Sequence, residues 1–216
     1  MIEKMADFFD ARADGYEEHM FTYVEGADEY YRATAGCFPI MKEMELLDLG
    51  CGTGLELDEL FPLMPDMHVT GVDMSEGMLD LLRKKHAGRN VTLIQGDYFA
   101  VPLANAHFDA AVAVQTMHHF RDAEKIRLYR RILDALKPGG LYVETDYIAR
   151  DEAEEQEMLR EADQLLAENG GAKELFHIDI PFTVDHQLRL LREAGFTEVK
   201  RIWQRASTAV MTARKG

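Results

Sequence analysis

The chain reads as an α/β protein: a three-layer α/β/α sandwich whose seven-stranded sheet is parallel over five strands and closes with a hairpin that makes the last strand antiparallel. Three observations lead there. Short apolar runs alternate with helix-period segments from Glu45 to Thr145. The first of those runs breaks into a glycine loop that opens a helix, and two strand-like runs separated by a turn lie beyond Gly195.

Residues 1–43 are helical in pattern and acidic, with nine Asp or Glu against three Lys or Arg through Arg32. They carry Phe8, Phe9, Tyr16, Phe21, Tyr23, Tyr30 and Tyr31, so they form packed helix or a cover over a ligand pocket. Leu46, Leu47 and Leu49 make a buried strand, Gly50 to Gly54 a tight turn, and Leu55 to Met64 the helix that leaves it. Met67 to Val72, Val91 to Gln95 and Phe108 to Val114 are the next strands. Arg83, Lys84, Lys85, His86 and Arg89 read as a helix end, where cations complement the helix dipole. Lys137-Pro138-Gly139-Gly140 stops a helix and turns the chain into a fifth strand, Leu141 to Thr145.

Arg150 to Asn169 reads as a long polar helix stopped by Gly170-Gly171. Its acidic opening, Asp151, Glu152, Glu154, Glu155 and Glu157, suits a helix N-terminus and a solvated face. Thr183 caps an amphipathic helix that runs to Ala194, with Leu188, Leu190 and Leu191 inward and Gly195 as its stop. Phe196 to Trp203 and Ser207 to Ala213 are the closing strands, turning near Gln204 and Arg205. The expected organisation is one domain over 1–216: a helical cover (1–43), a ligand-binding core (44–149), a helical insertion (150–182) and a closing helix and hairpin (183–216).

A chain of 216 residues can bury one substantial core. Its net charge of −15 repels polyphosphate, which disfavours nucleic acid as a partner. No apolar run approaches the ~20 residues that span a bilayer. Met1 to Met20 is too acidic for a signal or transit peptide, so a cytoplasmic protein without membrane contact is expected. Cys37 and Cys51 have neither metal-type nor redox-type spacing, and no disulfide is expected.

The run Glu45-Leu-Leu-Asp-Leu-Gly-Cys-Gly-Thr-Gly54 carries the functional signal. Glycines let a ligand lie against the main chain, as a nucleotide-like cofactor requires. A dinucleotide fingerprint needs Gly at the first, third and sixth positions, whereas Gly50, Gly52 and Gly54 occupy the first, third and fifth. Asp73, following the second strand, is placed to accept hydrogen bonds from both ribose hydroxyls. With Asp48 before the loop and Asp73 after it, the segment resembles motif I and its acidic partner in the class I S-adenosylmethionine-dependent methyltransferases. Gly96-Asp97-Tyr98 after the third strand and the Lys-Pro-Gly-Gly turn extend the resemblance from about Phe8 onward.

That resemblance, closest in kind to the small-molecule and quinone-methylating members, implies a Rossmann-like fold and S-adenosyl-L-methionine as cofactor, with S-adenosyl-L-homocysteine as product. Gly50, Cys51, Gly52 and Gly54 would admit the methionine portion by backbone contact. Asp73 would hold the ribose, Asp97 the adenine amino group, and Met74 and the Tyr98 main chain the ring. Gln115 falls beside the cofactor at the end of the fourth strand. Tyr16, within Phe9-Asp-Ala-Arg-Ala-Asp-Gly-Tyr-Glu17, resembles the aromatic that closes over such sites. Asp48 is expected to orient the loop amides indirectly, and Arg12 to be an exposed helical arginine with the cofactor carboxylate as its alternative partner.

The acceptor side is read from Gln115-Thr-Met-His-His-Phe120, which emerges beside the methyl group; similar enzymes place a histidine pair here. His118 is the candidate catalytic residue, as general base at near-neutral pKa. His119 is expected to pack under the cofactor, and Asp146, Tyr147 and His177 are further candidates. No metal is expected: adjacent His118 and His119 do not easily face one ion, and His177 with Asp179 forms an isolated pair. The expected partner is a small-molecule methyl acceptor, and a homodimer is an admissible assembly. A tRNA-modifying methyltransferase, a carboxymethyl-donor synthase on the same cofactor site and a non-enzymatic cofactor-binding regulator are the alternatives.

Overall fold

Side-chain alternation on the central strands decides the layers. Leu46, Ala110, Val112, Val114 and Val143 are buried on one face of the sheet, Leu47, Leu49, Ala111, Ala113 and Tyr142 on the other. Both faces must therefore be covered by helices. The computed structural model, which describes residues 2–169, 171 and 175–216, has seven strands in the order β3-β2-β1-β4-β5-β7-β6. They are β1 (Glu45–Leu49), β2 (His68–Asp73), β3 (Val91–Gln95), β4 (Phe108–Val114), β5 (Leu136–Tyr147), β6 (Thr197–Arg205) and β7 (Thr208–Arg214). The first five pair in parallel, and β7 is antiparallel to both β5 and β6, as expected. Because β1 pairs with both β2 and β4, the strand order reverses beside it and a crevice opens at the carboxyl ends.

The helices are α1 (Met5–Asp10), α2 (Tyr16–Tyr23), α3 (Ala27–Ala35), α4 (Leu55–Leu63), α5 (Glu76–Lys85), α6 (Asp122–Ala135), α7 (Glu152–Glu168) and α8 (Val184–Ala194). The apolar stripes of α3, α4 and α5 share one core with Leu46 and Val112, and those of α6 and α8 share the other with Leu47 and Tyr142. Thr183 Oγ1 caps α8 by accepting from His186 N, and Gly195 ends it in the left-handed region at φ +113°. Among the described residues no helix is long and apolar enough to cross a membrane.

Two local expectations are corrected. Helix α6 passes directly into β5 at Leu136, and residues 137–140 are looped out of the strand: Phe108 pairs with Leu136, whereas Ala110 already pairs with Leu141. The Lys-Pro-Gly-Gly run is thus a bulge within the strand, because Pro138 has no N–H for the ladder. Strand β6 continues to Arg205, and the chain reverses at Ala206-Ser207, one pair later than expected, because Gln204 and Arg205 still pair with β7. Helix α7 ends at an Asn169 C-cap; of the expected Gly170-Gly171 stop, Gly170 lies outside the described residues, and Gly171 N donates to Leu166 O at 2.9 Å.

The acidic opening of α7 is not wholly a solvated face either. Glu155 is buried and accepts from Thr183 N and bonds His186 Nδ1, each at 2.7 Å, while the far side of His186 meets Asp122 of α6 at 3.0 Å. One carboxylate therefore pins α7 to the start of α8. Glu155→Ala leaves a buried Thr183 N–H without its acceptor and should lower unfolding free energy by roughly 1–3 kcal/mol, read as a shift in the urea midpoint. An unchanged midpoint would show that α7 is held by its apolar face alone.

Candidate active site

The glycine loop is shaped by hydrogen bonds to the neighbouring strand. Gly50 N and Cys51 N both donate to Val72 O, at 2.8 and 3.3 Å. Gly50 is at φ +73°, and a Cβ there would collide with Thr116 Oγ1 beyond β4. Gly52 is different: a Cβ on it would meet only Gly50 O at 4.0 Å, so this residue leaves its space open toward the cleft.

Asp73, the last residue of β2, is the hub. Its Oδ2 accepts from Gly52 N and its Oδ1 from Ser75 N, both at 2.9 Å. Ser75 caps α5 by accepting from Met78 N at 3.1 Å and donates to Asp10 of the N-terminal segment at 2.5 Å; Gly77 N also donates to Asp10, at 3.0 Å. Burial raises the Asp73 carboxyl to about 6 against the lowering effect of its backbone donors. Asp10, which no motif marked, thereby ties the cover to the strand that carries the acid. A capping carboxylate from another segment leaves no local sequence signature.

Gly50, Gly52, Asp73, Tyr98, Gln115 and Tyr16 line one cleft, together with Met5, Phe9, Met78, Thr116 and His119. Gln115 takes φ +51°, a strained value for a residue with a Cβ, while its N–H stays bonded to Thr145 O at 2.7 Å. Cys51, Gly54, Met74 and Asp97 stand behind the described lining. The Cys51 thiol packs against Gly71 of β2, and the Cβ direction of Gly54 meets Leu82 and His86 of α5. Met74 joins the core under the sheet, and Asp97 Oδ1 accepts from Phe99 N at 2.8 Å. Met78, one helical turn into α5, takes the position beside the cleft for which Met74 was expected.

Asp48 does not orient the loop amides: neither of its carboxyl oxygens has a hydrogen-bond partner, and Glu56 Oε1 is likewise unpartnered. The side-chain period puts Asp48 on the α4 face of β1, so it meets Glu56 instead of the loop. Burial, then the Glu56 charge, drives Asp48 well above the carboxylate range, and burial raises Glu56 to about 7. Two buried acids facing each other disfavour ionisation of both.

A cavity of about 660 Å³ joins the cleft and shares Phe9, Tyr16, Gln115 and His119 with it. Its remaining walls include Phe8, Arg12, His118, Tyr147, His177 and Asp179. The roof is made by two distant segments. Met5 N donates to Leu175 O and His177 N to Glu3 O, at 2.9 and 3.0 Å, and the His177 ring stacks on Phe8 with centroids 3.5 Å apart. Arg12 is engaged by Glu3 at 3.0 and 3.2 Å and lies over the Phe8 ring. Lys85 of the expected helix end is likewise paired, with Glu17 at 2.8 Å and Asp58 at 2.7 Å.

His118 Nδ1 meets Asp146 Oδ1 at 2.6 Å, which turns Nε2 toward Asp179 at 3.6 Å. Burial opposes its charge, but the two carboxylates outweigh burial and raise its pKa. His119 is held neutral by burial and by the neighbouring histidine charges, and its Nδ1 lies 3.2 Å from Ile178 O. The expectation that His118 and His119 cannot converge is overturned. A three-residue turn, Met117–His119, tilts the rings to 53° with centroids 4.0 Å apart, and donor atoms of His118, His119 and Asp179 all come within 4.8 Å of one another.

The family described as Methyltransferase domain matches residues 46–140, which span the glycine loop through the β5 bulge. An uncharacterized methyltransferase of Geobacillus kaustophilus is 30% identical over 169 residues, covering 75% of each chain. The chain belongs to the class I S-adenosylmethionine-dependent methyltransferases. This methyltransferase is also 29% identical to a sterol 24-C-methyltransferase of Gibberella zeae over 82% of its own length but only 46% of that relative's. It is 26% identical to a carboxy-S-adenosyl-L-methionine synthase of Campylobacter fetus over 79% and 77% of the two chains. The solved complex of DhpI with S-adenosylhomocysteine shares the fold at a TM-score of 0.75 and 18% identity, over 98% and 95% of the chains. S-adenosylmethionine is the cofactor of this family, and the open Gly52, the Asp73 carboxylate and the acidic ground beneath the loop fit a cationic nucleoside.

The buried acids make cofactor-free stability depend on pH with a defined sign. Glu56 keeps its proton to about 7 when folded but loses it near the ordinary glutamate value of 4.5 when unfolded, so its stabilising contribution falls as pH rises from about 4.5 to 7. Glu56→Gln should therefore unfold at the wild-type temperature near pH 4.5 and several degrees higher at pH 8, corresponding to a few kcal/mol. Parallel melting curves at all pH values would remove Glu56 as the source.

Proposed function

We propose that the methyltransferase moves a methyl group from S-adenosylmethionine to a small-molecule acceptor bound in the roofed cavity. The observation that supports this most directly is the continuity of that cavity with the glycine cleft. Its volume of about 660 Å³ falls within the range of pockets that enclose a small ligand. A roof of α1, Phe8 and His177 leaves less room for a folded nucleic acid, and the paired state of Lys85 and Arg12 removes two candidate phosphate contacts. The carboxymethyl-donor synthase reading, suggested by the Campylobacter relative, needs a cation for a second carboxylate. Arg12 is the arginine of the cavity wall, and Glu3 already holds it.

When bound, the cofactor supplies an electrophilic sulfonium methyl, so the chain's own task is placement and exclusion of water. Gly50, Cys51, Gly52 and Gly54 form the backbone path for the methionine portion, with Gly54 and Cys51 acting through loop shape. Asp73 keeps lone pairs free for a ribose diol, since a carboxylate can accept about four bonds and two are in use. Tyr98 borders the adenine from the cleft wall with Asp97 and Met74 behind that lining, and Gln115 and Tyr16 stand where cleft and cavity meet. His118 is the residue that meets the acceptor, because Asp146 fixes its ring with Nε2 facing the cavity.

Asp73→Ala should weaken cofactor binding by at least about tenfold in calorimetry, since charge-assisted bonds are lost. Wild-type affinity should fall as pH drops through about 6, where Asp73 takes up a proton. For the reaction, the chain is incubated with isotope-labelled cofactor and a metabolite extract, and new methylated species are sought by mass spectrometry. Small labelled products that vanish with Asp73→Ala are expected; label confined to RNA, or a carboxymethylated cofactor, would overturn the reading. His118→Ala should abolish labelling while cofactor affinity holds.

A further inference from the structure

The acceptor end of the cavity gathers more donor atoms than proton transfer requires. Asp179 Oδ1 lies 3.6 Å from His118 Nε2, 3.4 Å from His119 Nδ1 and 3.9 Å from His177 Nε2. That oxygen is buried and has no hydrogen-bond partner among the described residues, although its residue borders the cavity. A four-coordinate ion with bonds of about 2.1 Å holds neighbouring donors about 3.4 Å apart, close to the 3.6 and 3.4 Å that separate Asp179 Oδ1 from His118 and His119.

The outer partners are in place as well. Asp146 at His118 Nδ1 leaves Nε2 as the outward donor, the carboxylate–histidine arrangement that orients metal ligands. His119 is buried, and coordination through Nδ1 exchanges its 3.2 Å contact with the Ile178 carbonyl for the ion. Asp179 and His177 come from the insertion and the histidine pair from the end of β4, so the cluster joins roof to sheet.

We propose that His118, His119 and Asp179 bind one divalent transition-metal ion at the acceptor end of the cavity, with a coordination position left for the acceptor. Two imidazoles and one carboxylate suit Zn²⁺ or Fe²⁺ and disfavour Mg²⁺ or Ca²⁺, which take all-oxygen sites. The inference rests on the methyltransferase reading and adds the acceptor class: a molecule carrying an ionisable oxygen or nitrogen that can ligate the ion. Held there, an acceptor X–H releases its proton to solvent more readily; X then bonds to the methyl carbon, and the C–S electron pair returns to sulfur as the cofactor product leaves.

The test is Zn²⁺ titration of the chelator-stripped chain by calorimetry, with S-adenosylmethionine binding measured on the same samples. One equivalent bound at micromolar or tighter affinity is expected. Asp146→Asn should weaken it by about 10- to 100-fold, and His119→Ala and Asp179→Ala should weaken it further, with cofactor affinity kept in Asp179→Ala. Asp179 borders the cavity, so its variant should retain the wild-type melting temperature and guard against misfolding. No Zn²⁺ uptake by wild type, or uptake unchanged in Asp179→Ala and His119→Ala, overturns the metal site. Zn²⁺ uptake without cofactor binding would uphold the site and overturn the methyltransferase reading instead.

Discussion

A single carboxylate, Asp73, holds the cleft together. It accepts from the loop after β1 and from the cap of α5, and through Ser75 and Asp10 it reaches the N-terminal cover. The glycine loop has no side chains to fix its own shape, so an external acceptor must do so. Because Asp73 ends a strand paired on both sides, its position is set by the sheet, and the loop inherits that rigidity.

The same end of the sheet carries an electrostatic tension. Asp48, Glu56 and Asp73 are buried close together with few compensating donors, and all three are pushed toward their neutral forms. Such an arrangement costs stability in the free chain and complements a ligand that carries positive charge on sulfonium and ammonium groups. Stability elsewhere is supplied conventionally, by two apolar cores and by a satisfied buried network in which Lys125 donates to Gln187 at 2.8 Å and Gln187 bonds Tyr129 at 2.7 Å and Glu144. Among the described residues, unpartnered buried polar atoms gather at Asp48, Thr53 and Glu56 in the loop region, with others at Tyr30, Asp146, Asp179 and Thr212.

Local signals made much of the architecture legible. Strand identity followed from apolar runs buried on both faces, and the α8 ends from Thr183 and Gly195, because capping is settled by residues a few positions apart. The position of Asp73 in the cleft was readable because a strand end after a glycine loop has few geometric options. Gly54, Cys51 and Met74 were harder: residues of a tight turn or helix start alternate sides within a few ångströms, and which side faces a ligand depends on what packs behind them. Glu155 looked solvated for the same reason, since its partners lie 28 and 31 positions away.

By itself, the amino-acid sequence determined the sheet, its order of elements, the glycine cradle and the cofactor class, all of which depend on periodicity and short-range stereochemistry. Tertiary structure alone decided that Asp48 faces Glu56, that Asp10 closes the cover onto the start of α5, and that Asp179 meets two adjacent histidines. The last two are contacts between segments far apart in the chain, the first depends on how α4 folds back on β1, and only the packing of the sheet and its helices specifies how close such groups come.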